Sequence, residues 1–172
     1  MNTIYCQTVD IQKVASFILE NRYTIFGGYV RDLLAGKKPN DIDVLLSRPT
    51  EAYCLLDLLV KEYERVTIVY NPVERRSNRY NADVLRLEVE GVCIDLVSPV
   101  NVAANGVIHR PDASVNRLKM TSDSISLMGF AMNYTIQDII NQIVLRVYVP
   151  EAGMSGDRIS KMESAGWRHL LG

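Results

Sequence analysis

Two apolar segments, residues 84–89 and 92–97, are separated by only Glu90 and Gly91. A two-residue connection that contains glycine is typical of a tight β-hairpin, and it leaves few other ways for these segments to fold. A third strand-like segment, residues 66–70, precedes them. The sequence therefore predicts a sheet that contains at least one antiparallel hairpin.

Helical patterns alternate with these strands along the first two thirds of the chain. Apolar residues recur at helical spacing over residues 10–21 and 50–63, and a shorter helix is predicted at residues 29–34. Further strands are predicted at residues 23–26 and 41–46. This mixture predicts an α+β fold with a mixed β-sheet flanked by helices.

The last third of the chain is less regular. Helices are predicted at residues 114–120, 122–132 and 155–165, and a partly extended segment at residues 139–149. We expect a head domain over residues 1–120 and a small helical and extended C-terminal appendage, residues 121–172, packed on it.

Composition excludes several classes of protein. The 172 residues are 48% hydrophobic and carry a net charge of −1, which is typical of one globular domain and not of a strong nucleic-acid binder by bulk charge. No apolar run approaches the roughly 20 residues that span a bilayer, so we expect no membrane partner. Cys6, Cys54 and Cys93 form no Cys-x-x-Cys pair, which argues against a zinc site or disulfide framework and favours a cytoplasmic location.

A glycine pair follows the first predicted strand. Gly27 and Gly28 would let backbone approach a ligand with no Cβ in the way. The N–H groups at the start of the next helix, at the positive end of its dipole, suit a phosphate. An ordinary tight turn is the alternative that these two residues leave open.

Three aspartates are the candidate metal ligands. Asp41 and Asp43 lie two residues apart in a predicted strand, so they share a face, and a divalent cation would relieve their repulsion. Asp95 lies among apolar residues, where an ionised carboxylate is costly unless it is paired or binds metal. A solvated strand start for the pair, and a salt bridge to a buried arginine for Asp95, are the alternatives. Taken with the glycine turn, the three acids predict a site for two Mg²⁺ ions and a triphosphate.

These residues match a family. Residues 27–36 with Asp41-x-Asp43 resemble the signature Gly-Gly-x-Val-Arg-Asp-x-Leu-x-Gly, then Asp-x-Asp, of class II tRNA nucleotidyltransferases (CCA-adding enzymes) and bacterial poly(A) polymerases, in the polymerase-β-like superfamily. Residues 110–118 resemble the family's Arg-Arg-Asp-Phe-Thr-Ile-Asn-Ala-Leu element, with departures at Pro111 and Arg117. Asp95 stands where the third carboxylate of the family is expected.

The resemblance implies the nucleotidyltransferase fold and an activity. An NMP would pass from an NTP, ATP or CTP, to an acceptor hydroxyl with release of pyrophosphate, and the acceptor would be an RNA, most simply a tRNA 3′ end. It implies that Asp41, Asp43 and Asp95 are the catalytic, metal-binding residues. It also implies a set of nucleotide-binding residues, namely Gly27, Gly28, Arg31, Arg110, Asp112 and Asn116. Asp32 is expected to brace its neighbourhood, because a carboxylate facing the triphosphate would repel it.

Departures from the family leave other functions open. The family's neck carries a Glu-Asp-x-x-Arg element that selects C or A, and residues 157–169 contain no such element. A partner chain or a dimer would then have to complete the RNA-binding surface. The alternatives are a nucleotidyltransferase that acts on a small-molecule or protein hydroxyl, and a non-catalytic relative that binds nucleotide or RNA.

A basic cluster lies near the predicted site in the sequence. Its members are Arg65, Arg75, Arg76, Arg79 and Arg86. Such a cluster could steer a triphosphate or an acceptor strand toward the acids. A solvated loop between two strands is the alternative.

Overall fold

The computed structural model describes residues 9–70, 82–99, 111–128, 133–151 and 153–170. The helices in these ranges are α1 (Ile11–Glu20), α2 (Gly28–Leu34), α3 (Pro49–Glu62), α4 (Ile136–Leu145) and α5 (Gly156–Ser164). The strands are β1 (Thr24–Phe26), β2 (Asp41–Leu45), β3 (Val66–Tyr70), β4 (Ala82–Val89), β5 (Val92–Pro99), β6 (Leu118–Met120), β7 (Ile125–Leu127), β8 (Val147–Tyr148) and β9 (Arg168–His169). The predicted α+β class is confirmed. None of these helices is long and apolar enough to cross a membrane.

Seven strands form one mixed sheet in the order β3-β4-β5-β2-β1-β6-β7. The central pair, β2 and β5, is parallel, and its neighbours on both sides pair antiparallel. The predicted hairpin joins β4 to β5. Its two turn residues, Glu90 and Gly91, have φ of 49° and 85°, the left-handed conformation that a two-residue hairpin turn requires.

The main core lies between one face of the sheet and helices α1 and α3. Helix α1 contacts β1 and β2, and α3 contacts β4 and β5. Ile18 of α1 and Leu55 of α3 are completely buried, as are Ile94 and Leu96 of β5. Asp10 caps α1 by accepting a hydrogen bond from the backbone N–H of Gln12, as expected of an aspartate before a helix.

The sequence-based elements are confirmed up to β5 and partly wrong after it. In place of a helix over residues 114–120, a 3₁₀ helix at Ser114–Asn116 leads into β6, and β7 lies inside the second predicted helix. These strands have three residues each, too few to show an alternating pattern. Strand β6 pairs with the edge of β1 that β2 does not occupy. The predicted extended segment is instead mostly α4, which begins at a capping box between Thr135 and Asp138. The helix predicted near the C-terminus is confirmed as α5.

Candidate active site

The parallel pair of strands brings the three predicted acids to one face of the sheet. Asp43 of β2 is in register with Asp95 of β5, and Asp41 is in register with Cys93. Successive residues of a strand point to opposite faces. Their neighbours along the strands, such as Ile42 and Ile94, are therefore buried in the core, while the three aspartates line a cleft of about 430 Å³ on the other face.

Arg86 lies on the same face of the sheet as the three aspartates. It lies on β4 directly opposite Asp95. Its Nε donates to Asp95 Oδ1 at 2.7 Å, and its Nη2 donates to Asp95 Oδ2 at 2.6 Å. The hydrogen bonds and the charge of Asp95 raise the pKa of Arg86 above its ordinary value. The arginine partner that the sequence left open for Asp95 is therefore present, and it lies in the cleft itself.

Positive charge dominates the rest of the cleft. Six cationic and four acidic side chains line it, namely Arg31, Lys37, Lys38, Arg86, Arg158 and Lys161 with Asp32, Asp41, Asp43 and Asp95. Two of the cations come from α5, in the predicted appendage. An open cleft with this lining suits a multiply charged anion such as a polyphosphate.

The glycine turn places α2 beside the acids. Gly27 has a φ of 72° and a ψ of −131°, a conformation that favours glycine, and its N–H donates to the carbonyl of Leu118 at 2.9 Å. That N–H is therefore committed to the fold. Gly28, the first residue of α2, lines the cleft, so it is the member of the pair at which backbone could approach a ligand.

Arg31 and Asp32 both line the cleft and form an ion pair with each other. Arg31 is buried, and its guanidinium donates to both oxygens of Asp32 at 2.7 and 2.9 Å. It also donates to Oδ1 of Asn116 at 2.9 Å. The Arg31 guanidinium carbon lies 5.2 Å from the centroid of the Trp167 ring, a cation–π contact. This arrangement agrees with the bracing role expected of Asp32.

Asp112 and Asn116 support residues that line the cleft. Asn116 donates to Oδ1 of Asp112 at 2.8 Å, and Asp112 accepts from Nε of Arg158 at 2.5 Å. A continuous polar network thus joins α2, the 3₁₀ helix and α5. Asp112 and Asn116, two of the six predicted nucleotide-binding residues, thus contact Arg158 and Arg31, which line the cleft. Arg110, like the basic-cluster residues Arg75, Arg76 and Arg79, lies outside the described residues.

The acids have the right chemistry for a hard cation, but their present arrangement is not a closed metal site. Carboxylate oxygens are the ligands that Mg²⁺ prefers. Among the described residues, no three His, Cys, Asp or Glu side chains are arranged to hold a metal ion. Both oxygens of Asp95 accept hydrogen bonds from Arg86 instead. Next to Asp95, burial raises the pKa of the Cys93 thiol, and the negative charge of Asp95 adds to that effect.

Sequence reasoning missed the cations that α5 and the segment between α2 and β2 bring to the cleft. They are Arg158 and Lys161 of α5, with Lys37 and Lys38. Arg86, in contrast, could have been placed. A two-residue turn at Glu90 and Gly91 fixes the register of the hairpin, and that register sets residue 86 opposite residue 95.

Solved structures similar to this chain include CCA-adding enzymes and a tRNA-processing enzyme. The chain is similar to the Thermotoga maritima CCA-adding enzyme complexed with tRNA, with 17% identity, 96% of this chain and 41% of that chain covered, and a TM-score of 0.55. It is similar to a CCA-adding enzyme in complex with CTP, with 15% identity, 96% and 42% covered, and a TM-score of 0.55. It is also similar to a tRNA-processing enzyme in an apo form, with 17% identity, 94% of this chain and 44% of that chain covered, and a TM-score of 0.55. The fold is thus that of a nucleotidyltransferase head domain, and the chain spans about two fifths of the length of these proteins.

The family follows from the sequence match. The model of the poly A polymerase head domain matches residues 23–144, which include all three aspartates and the glycine turn. The chain belongs to this family, and the resemblance inferred from its motifs is confirmed. A search of curated proteins finds no match.

Proposed function

We propose that the protein is a Mg²⁺-dependent nucleotidyltransferase that moves an NMP from an NTP, ATP or CTP, to an acceptor hydroxyl and releases pyrophosphate. One observation carries the proposal. Asp43 and Asp95 lie in register on parallel strands, with Asp41 two residues along, at the wall of a cationic cleft. A cleft that only bound an anion would gain nothing from acids at this position, because they would repel it.

The three aspartates would hold two Mg²⁺ ions. Bound there, Mg²⁺ would lower the pKa of the acceptor hydroxyl and stabilise the charge of the leaving pyrophosphate. Asp95, the carboxylate on the strand next to Asp41 and Asp43, could also assist removal of the hydroxyl proton. In this proposal the acids lie at the reacting phosphate, and the cations bind the rest of the triphosphate.

The cationic side of the cleft would bind the nucleotide. Lys37 and Lys38, which follow α2, would neutralise the triphosphate, with the backbone at Gly28 close by. Arg31 faces the cleft from a fixed position because Asp32 and Asn116 hold its guanidinium. Gly27, Asp112 and Asn116 are thus positioning residues in this proposal, and Arg110 stays a predicted nucleotide-binding residue.

An RNA 3′ end, most simply that of tRNA, is the proposed acceptor. The family and the similarity to CCA-adding enzymes support it. In this proposal a partner chain or a second copy of the protein would supply further contacts to the RNA. A cytoplasmic location and the division at residue 120 stay predictions.

A label-transfer assay tests the proposal. The protein is incubated with Mg²⁺ and each labelled NTP in turn, with tRNA, with generic RNA and without acceptor. We expect label on the RNA 3′ end. Replacing both Asp41 and Asp43 by Asn should lower the rate by about a thousandfold or more, because metal ions supply several kcal/mol of charge stabilisation.

The control is Asp57→Asn, which changes an exposed carboxylate on α3, outside the residues that line the cleft. It should transfer label at the wild-type rate. Label on a small molecule or on protein would show that this molecule, and not RNA, is the acceptor. Nucleotide binding without transfer to any acceptor would overturn the enzymatic proposal, and undiminished transfer by the double variant would overturn the assignment of the acids.

A further inference from the structure

Arg86 and Asp95 form a bidentate ion pair in the cleft. They face each other across β4 and β5, and two parallel hydrogen bonds of 2.7 and 2.6 Å engage both carboxylate oxygens. On its other side, Asp95 is in register with Asp43. Arg86, Asp95 and Asp43 therefore form a row across three neighbouring strands, with the cation at one end and two of the proposed metal ligands after it.

Arg86 and a metal ion compete for the same carboxylate. A metal ligand must offer at least one oxygen lone pair toward the ion, and the bidentate pair engages both oxygens of Asp95. A guanidinium beside the site also repels a cation. Metal binding by Asp95 is therefore weakened while Arg86 is in place, and it is strengthened when Arg86 moves to another anion.

Phosphate is the other anion that suits Arg86. The planar fork of an arginine matches phosphate oxygens as well as carboxylate oxygens, and Arg86 lines the same cleft as Lys37 and Lys38. The Arg86 side chain is 48% exposed and that of Asp95 is 18% exposed, so the arginine is the partner that is able to swing. A triphosphate carries more negative charge than one carboxylate and offers the same paired oxygens to the fork, so it is the stronger competitor for Arg86.

We propose that Arg86 is a positioning residue that exchanges partners, from Asp95 to a phosphate of the nucleotide, and so makes Asp95 available to the metal ion. This inference rests on the proposed function. It adds that nucleotide and metal bind cooperatively and that Arg86 couples them. Since coupling between two sites is reciprocal, each ligand strengthens the binding of the other by the same factor.

The first arm of the test measures metal binding without nucleotide. Mn²⁺, a spectroscopic substitute for Mg²⁺, is titrated and the free ion is followed by electron paramagnetic resonance. Arg86→Gln should bind Mn²⁺ roughly tenfold more tightly than wild type, within the range common for coupled sites. Arg86→Lys, which keeps the charge but loses the fork, should fall between them.

The second arm measures nucleotide binding in the presence of EDTA by calorimetry. Arg86→Gln should weaken ATP or CTP binding roughly fivefold or more, at the lower end of the same range. Asp95→Asn should strengthen it, because the variant releases Arg86 to the phosphates. Thermal melts of every variant establish that it is folded before its binding is compared.

Arg22→Gln is the control. Arg22 also forms an ion pair with a carboxylate, with its Nη1 3.9 Å from Oδ2 of Asp123, outside the residues that line the cleft. It should match wild type in both arms. Unchanged Mn²⁺ affinity in Arg86→Gln, or a gain that persists when Asp95→Asn is added, would overturn the proposal. Neither readout depends on transfer, so failure of the proposed function remains a separate result.

Discussion

Gly27 lies against Asp43, so that a methyl group at position 27 would be 3.7 Å from Oδ2 of that carboxylate. This distance is ordinary van der Waals contact. The constraint on position 27 therefore comes from its φ of 72° rather than from lack of space. The turn before α2 and strand β2 therefore pack closely against each other at position 27.

Gly27→Ala should destabilise the fold through backbone strain. A side chain in this conformation costs roughly 1–3 kcal/mol, and the free energy of unfolding measured by denaturant titration should fall by about that amount. Gly156→Ala is the control, because Gly156 has no positive φ and open space around it. Equal stability of the two variants would contradict the strain at Gly27.

Arg31→Ala should be one of the most destabilising changes in the chain. The side chains of Arg31 and Asp32 are only 11% and 13% exposed, and removal of the cation leaves Asp32 without its partner in a mostly buried site. Breaking such a pair costs about 3–5 kcal/mol, measurable by denaturant titration. Arg31→Lys keeps the charge and should lose less.

The comparison for Arg31 is the surface pair of Arg22 and Asp123, whose side chains are more than four fifths exposed. Arg22→Ala should change the free energy of unfolding by no more than about 0.5 kcal/mol. A loss in Arg31→Ala as small as this would show that the network around Arg31 contributes nothing to stability.

Trp167 should report nucleotide binding by its fluorescence. It is the only tryptophan, it is buried, and Arg31 and Lys37 lie 5.2 and 5.6 Å from its ring centroid while both line the cleft. A polyphosphate that draws these cations changes the field at the indole, so titration with an NTP should give a saturable change in emission. Lys37→Met should reduce the response, and Lys61→Met, on α3, should not. Constant emission during binding that calorimetry detects would contradict this arrangement.

Helix α4 should lose stability in acid through Asp138. Hydrogen bonds from the backbone N–H and the hydroxyl of Thr135 lower the pKa of Asp138 below its ordinary value of 3.8. A carboxyl whose pKa is lowered on folding stabilises the fold above its ordinary pKa, and that contribution disappears as the pH falls through the lowered value. Asp138→Ala should therefore be less stable than wild type at neutral pH, and the difference should shrink below about pH 4.

Gln137→Ala is the control for this pH series, since it changes the same helical turn without removing a carboxylate. Its difference from wild type should not vary over the same pH range. A constant difference for Asp138→Ala as well would mean that the carboxylate is not held by the capping box in solution.

The local sequence patterns determined the fold class and most of the site. A two-residue turn specified the β4–β5 hairpin, apolar periodicity specified α1 and α3, and the motif around Gly27 and Asp41 identified the family. These features succeed because turn geometry and side-chain period are properties of a few neighbouring residues. The short strands β6 and β7 were not predicted, because three residues are too few to show an alternating apolar pattern.

Only the tertiary structure decided what surrounds the three acids. The parallel pairing of β2 with β5 sets Asp43 beside Asp95, and the fold brings Arg158 and Lys161 of α5 to the same cleft. Parallel strands are joined by long connections, so their register follows from burial of the whole sheet and its helices and not from any local signal. The sequence by itself thus determined which residues carry the chemistry, whereas the packing of distant segments decided which charges they meet.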